Sequence, residues 1–241
     1  MALLRAKFPA VAEARLDGEA VRVDVRVSAR ARNYRLSIPH RGPPVLTVPR
    51  FGRWAEAQAF LDRQTAWLLA RVHRKPEAVA FADGATVPVR GIPHAIAATG
   101  KLRGTVLADD GRTLWTPGAP EHMARRLTDW LKGEALRDLG ERVAAHAAAL
   151  GVRVISIRVR EQASRWGSCS ANGRLNFNWR LILAPPFVLD YVAAHEVAHL
   201  LEMNHSPRFW STVRRALPDM ERGRAWLKAH GRALMAYGAS E

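Results

Sequence analysis

The run His195-Glu196-Val197-Ala198-His199, with a third histidine at His205, constrains the fold of this chain more than any other stretch. On an α-helix, residues four apart share a face, so His195 and His199 can aim ring nitrogens at one point. Glu196 is rotated about a quarter turn from that face, off the histidine pair but within reach of a water beside it. The run sits between Tyr191-Val192-Ala193-Ala194 and Leu200-Leu201. Two histidines and a glutamate on so apolar a helix are costly to bury without a partner, and a metal ion is the partner this spacing selects. Cys169 is the single cysteine, which excludes an internal disulfide framework and a multi-cysteine zinc site. Histidines and carboxylates must therefore supply the ligands.

Zn2+ suits imidazole, and a catalytic zinc takes three protein ligands and leaves a fourth position open. Glu202 and His205 compete for the third place. Glu202 returns to the face of His195 but lies two turns along the axis. His205 follows Asn204, which tolerates left-handed backbone, and precedes Ser206-Pro207. The helix can thus end near Met203-Asn204 and fold His205 back. The third ligand is accordingly expected to be His205, with Glu202 anchoring the helix end; a carboxylate such as Asp219 or Glu221 is the alternative. The expected chemistry is hydrolysis by a zinc-activated water, with Glu196 as general base.

The rest of the chain reads as α+β. Val21, Val23, Val25 and Val27 alternate with charged residues, the period of a half-buried strand. Asn33–Pro39 and Pro44–Val48 repeat the pattern around a turn at 39–44, suggesting a β-meander. Arg53–Arg74 switches to helical periodicity. Short strands are expected at 86–89, 94–97 and 105–108, with a turn at 109–111. Beyond Pro117-Gly118-Ala119-Pro120, Glu121–Leu150 reads as a long helix stopped by Gly151. Val152–Val159 and Arg174–Leu183 read as strands, and helices are expected at 186–202, 207–217 and 220–237. The expected division is a β-rich region with one helix, 1–117, and a zincin-like domain, 118–241, with its active-site helix beside a small sheet.

Gln162–Ser170 reads as a tight loop. Arg165 in it is a candidate for stabilising an oxyanion or binding a substrate carboxylate, or for a structural ion pair beneath Trp166. Cys169 reads as packing. Leu175, Phe177 and Trp179 alternate with Asn176, Asn178 and Arg180, which suits an edge strand that could receive an extended peptide, Asn178 adding a contact. Tyr191, one turn before His195, is a candidate transition-state donor.

The net charge of +15 raises the question of nucleic acid. Residues 1–110 carry 18 basic and 10 acidic side chains and residues 111–241 carry 19 and 12, so neither half alone holds the excess. No stretch reaches the roughly 20 apolar residues of a membrane span, and the first sixteen residues lack the apolar centre of a signal peptide. A cytoplasmic protein acting on peptides or proteins is expected.

Taken together, His195-Glu196-x-x-His199, Glu202-Met203-Asn204-His205-Ser206-Pro207-x-Phe209-Trp210, Arg165-Trp166-Gly167-Ser168-Cys169-Ser170 and Asn176-x-Asn178-Trp179-Arg180-Leu181 resemble the YgjP-like metallopeptidase-domain family, whose wider relatives include the SprT and WLM metalloproteases. The resemblance is specific in 161–210 and diffuse in the first half. It implies a zincin-like domain with zinc on His195, His199 and His205 and Glu196 as general base. Glu202 stands where metzincins carry a glycine, so that class is not implied. Two other functions remain open: a metal-dependent hydrolase of a non-peptide substrate such as a nucleotide, and a nucleic-acid-associated module with structural zinc. Glu196 argues against the latter, since a structural site needs no base.

Overall fold

Asp17-Gly18 reverses the chain with both residues at positive φ, 51° and 85°, the backbone a two-residue hairpin requires. On either side β1 (Val11–Leu16) and β2 (Glu19–Ser28) pair antiparallel. The computed structural model describes residues 8–39, 42–73, 76–101, 103–104, 106–108, 112–162 and 165–238. The chain divides into two compact units, residues 1–76 and 77–240.

In the first unit the sheet order is β1-β2-β4-β3, with β3 (Arg35–Ser37) antiparallel to β4 (Val45–Pro49). The expected meander is not formed, because β4 pairs parallel to β2 and the short β3 is pushed to the edge. Strand alternation sends Val23, Leu46 and Val48 to one face, where they bury with Ala57, Leu61 and Leu68 of α1 (Trp54–Val72).

The second unit opens with β5 (Thr86–Val89) and β6 (Ile92–Ala98), which turn at Arg90-Gly91. Together with β7 (Leu107–Ala108) and β8 (Thr113–Thr116) they form a sheet of order β5-β6-β8-β7. Next comes α2 (Pro120–Leu150), which starts on the proline expected at a first turn and stops at Gly151 in the left-handed region, φ 68°. A second sheet, β10-β11-β9, holds β9 (Ser156–Arg160), β10 (Gly167–Cys169) and β11 (Arg174–Asn178). Trp179–Leu183 winds into a 3₁₀ turn, and α3 (Pro186–Ala198), α4 (Pro207–Ala216) and α5 (Met220–Leu234) follow.

The expected boundary after residue 117 falls inside this unit, where Val87, Ile96 and Leu114 share one core with Leu127 and Leu131 of α2 and Phe177 of β11. Arg90 ties the hairpin to α2 by ion pairs to Glu134 (2.9 Å) and Asp138 (2.7 Å). Among the described residues no helix is long and apolar enough to cross a membrane. Of the expected features, His40, Arg41, Arg74, Thr105, Ala163, Ser164 and 109–111 lie outside the described residues.

Candidate metal centre

The active helix is set by burial. Val188, Leu189, Val192, Ala193, Ala194, Val197 and Ala198 of α3 are all in the core; on the remaining face His195 is partly exposed and His199 8% exposed, both packed by Phe209. α3 ends at Ala198, four residues earlier than its periodicity suggests. The reason lies in the next turn. Glu202 N–H donates to Ala198 O (3.1 Å), and the Glu202 carbonyl accepts from His199 Nδ1 (3.0 Å). Since a carbonyl can only accept, the proton sits on Nδ1 and the Nε2 lone pair is free for a ligand.

Asn204 Oδ1 accepts from Ser206 N–H (3.1 Å), and Ser206 Oγ caps α4 by accepting from Phe209 N–H (3.4 Å). This tight corner returns His205 to the pair. Nitrogens of His195, His199 and His205 lie within 4.8 Å of one another, and the Nε2 atoms of His195 and His205 are 3.1 Å apart. Two nitrogens on one tetrahedral zinc stand about 3.3 Å apart, given bonds of 2.0–2.1 Å. The donor set therefore fits a divalent metal such as zinc. Burial first, then His199 and His205, push His195 down to about 3. Burial likewise lowers His199. Both shifts favour the neutral ring, the form that binds metal.

Aromatic packing supplies what hydrogen bonds do not. Phe209 stacks on His199 (centroids 4.5 Å, 28°) and meets His195 edge-on at 4.8 Å. His195 Nδ1 is buried and has no hydrogen-bond partner, so the orientation of that ring comes from Phe209, Trp210 and Tyr191.

Glu196 is 5% exposed, and burial raises its carboxyl to about 7 against the opposing pull of Arg165. Its neighbour is Gly167 on β10, where a Cβ would stand 2.4 Å from Oε1. In the sequence Gly167 reads as loop; only the fold reveals that the carboxylate rests on its bare backbone.

Arg165 is exposed just before β10. Tyr191 is buried, with its ring 5.9 Å from that of His195. Asn178 is placed away from the substrate-contact role. It is wholly buried, its Nδ2 donates to Gln162 O (2.8 Å), and its Oδ1 accepts from Arg180 N–H (3.1 Å). Its strand is no edge either, since β11 lies between β10 and β9, so β10 and β9 hold the edges. Glu202 turns its carboxylate to Arg208 (2.6 Å), and Glu221 faces Arg214 and Arg224. Neither joins the histidine cluster. Arg224, which no sequence motif singles out, stacks on Trp210 at 4.4 Å. Cys169 is partly buried; burial and then Glu196 push its thiol up to about 11, which suits packing rather than nucleophilic work.

Chemistry of this kind is that of metal-dependent peptidases and hydrolases. The chain belongs to one family of them: residues 32–230 match the YgjP-like, metallopeptidase domain. No curated protein matches it. Among solved structures it is similar to the crystal structure of the metallopeptidase zymogen of Pyrococcus abyssi abylysin. That likeness is slight, with 20% identity over 37% of this chain and 93% of that one and a TM-score of 0.34.

Proposed function

We propose that this metallopeptidase is a zinc enzyme, with zinc held by His195, His199 and His205 and with Glu196 as general base. The carrying observation is three imidazole nitrogens within 4.8 Å beside a buried carboxyl held near neutrality. Zinc, when bound there, supplies a Lewis acid for the scissile carbonyl and for water. Glu196 takes the proton of the attacking water and hands it to the leaving amine nitrogen, a cycle that works best when the group titrates near the operating pH. Tyr191 keeps its phenolic proton, because burial raises it, and is assigned as a donor to the developing oxyanion. Arg165, whose charge acts on Glu196, is assigned as a contact to the substrate or the transition state. We assign the zincin-like catalytic part to 118–241, where α3 lies against β10, built on a core that continues into Val87, Ile96 and Leu114. The free edge of β10 is the place for an extended cytoplasmic peptide or protein segment to pair.

Purified protein is expected to bind one zinc per chain and to cleave members of a mixed peptide library. Glu196→Gln should keep the metal and lose cleavage. Undiminished cleavage by Glu196→Gln, or none by the zinc-loaded wild type, refutes the proposal.

A further inference from the structure

The parallel pairing of β2 with β4 has a geometric result: both strands finish at the same end of the first unit's sheet, Ser28 opposite Pro49. The loops that leave them touch there, since Arg50 N–H donates to Ser28 O (3.2 Å). The β2–β3 segment runs Arg26-Val27-Ser28-Ala29-Arg30-Ala31-Arg32-Asn33-Tyr34-Arg35, four arginines without an acid among them. Within the sheet, Arg26 pairs with Thr47 and Thr47 with Arg35. The three therefore form one lateral row, on the face opposite the buried Leu46 and Val48. Arg30 and Arg32 are exposed on the loop, and Arg53 is exposed on the neighbouring one.

The acids paired in this unit are paired with groups other than these arginines. Elsewhere in the unit Arg15 and Arg22 are paired with Glu13 and Asp24. Among the described residues no ion pair forms at Arg26, Arg30, Arg32, Arg35 or Arg53. The acid on the adjoining first turn of α1, Glu56, accepts from the Tyr34 hydroxyl (2.7 Å).

One aromatic ring projects from the same end. Phe51 is 88% exposed; the Arg50 guanidinium lies over one face of its ring at 5.7 Å, and the ring is otherwise open to solvent. Its loop is fixed beneath it. Gly52 N–H donates to Pro49 O (2.9 Å), and Arg53 N–H donates to the Tyr34 hydroxyl (3.0 Å). A Cβ on Gly52 would stand 2.8 Å from that hydroxyl, so a side chain at 52 would have to displace Tyr34 from the turn. The ring is held out on a braced turn amid guanidinium groups.

We propose that this end of the first unit is a binding site for single-stranded nucleic acid. Arg26, Arg30, Arg32, Arg35 and Arg53 contact phosphates, and an unpaired base stacks on Phe51. Guanidinium forks match phosphate oxygens, and a free aromatic face is what a sequence-tolerant single-strand site offers a base. A duplex keeps its bases stacked and could use only the charges. A membrane surface fits less well, because insertion needs several large apolar side chains together, and among the described residues this end exposes only Phe51 (88%) and Val27 (49%). The site is independent of the hydrolytic centre, so either assignment can fail alone.

The test is fluorescence anisotropy of the full chain with a labelled 20-nucleotide oligo(dT), an oligo(rU) of equal length and a duplex, across a salt series. Micromolar or tighter binding of the single strands, weaker binding of the duplex, and a linear fall of log K with log salt are expected. Arg30→Ala/Arg32→Ala should flatten the slope by about 1.4, at roughly 0.7 for each phosphate no longer neutralised. Phe51→Ala should weaken binding at least about fivefold and leave the slope alone. Unchanged melting temperatures would show that both variants fold. No binding of single strands by wild type overturns the proposal, as does wild-type affinity in both variants. So does binding to phosphatidylglycerol vesicles without binding to oligonucleotide, which would mark the patch as a lipid surface.

Discussion

Replacing Gly167 with alanine tests the link between the small sheet and the chemistry more sharply than removing a ligand. Gly167 is not among the glycines with positive φ, so alanine meets no backbone penalty. The added methyl would stand 2.4 Å from Glu196 Oε1, 2.6 Å from Cγ and 2.7 Å from Cδ. Ordinary contact begins near 3.4 Å, so the carboxylate must move by about 1 Å. The glutamate is buried and has little room to yield. A displacement of that size at a reacting group costs on the order of 100-fold in rate, about 2.7 kcal/mol of transition-state stabilisation. Overpacking adds about 1–3 kcal/mol of instability, a fall of a few degrees in melting temperature. The three atoms nearest the new methyl all belong to Glu196, so the metal should stay. The assay is kcat on the library peptide cleaved fastest by wild type, with zinc content by plasma mass spectrometry and thermal melting in parallel. Wild-type kcat in Gly167→Ala would refute the reasoning, as would loss of rate that merely tracks loss of zinc.

Three further outcomes are expected. His205→Ala should lower zinc affinity by more than the 10- to 100-fold typical of losing a group behind a ligand, measured by competition with a chromogenic chelator; undiminished affinity would remove His205 from the ligand set. Asn178→Ala should destabilise the fold by about 1–3 kcal/mol in urea melts, because the Gln162 carbonyl and the Arg180 N–H lose their partner; a neutral effect would refute the bracing role. Cys169 should react slowly with iodoacetamide at pH 8 and faster as pH approaches 11, since its thiol is pushed up to about 11. The sign for stability follows: an unfolded chain loses that proton first, so the contribution is lost as pH rises from about 9 toward 11, and labelling as fast as a free thiol at pH 8 would contradict it.

The helix with its histidine pair, the stop at Gly151 and the return of His205 were legible in the sequence, because each rests on contacts within a few residues. Asn204 and Ser206-Pro207 signalled the corner that brings His205 back. Asn178 was misleading, since period-2 alternation describes which face a side chain takes but not what lies above that face. Its partners, Gln162 and Arg165, are 16 and 13 residues away. Gly167-Ser168-Cys169 has no apolar alternation at all and becomes a strand only because β11 offers it a ladder. Parallel pairing of β2 with β4 was hidden for a related reason: register between distant strands is decided by the core they share, here with α1, and not by either strand alone.

The bond from His199 Nδ1 to the Glu202 carbonyl both ends α3 and fixes which nitrogen of the ring faces the other histidines. Backbone termination and ligand tautomer are thus a single equilibrium. Under the proposed ligand set, fraying of residues 199–202 would release the tautomer that metal capture needs, and an ion at Nε2 would in turn hold that turn of backbone shut. If the ion binds as proposed, substitutions that loosen the corner from Leu200 to Asn204 should therefore show up as weaker metal affinity, although the proposed ligand set takes no side chain from that corner.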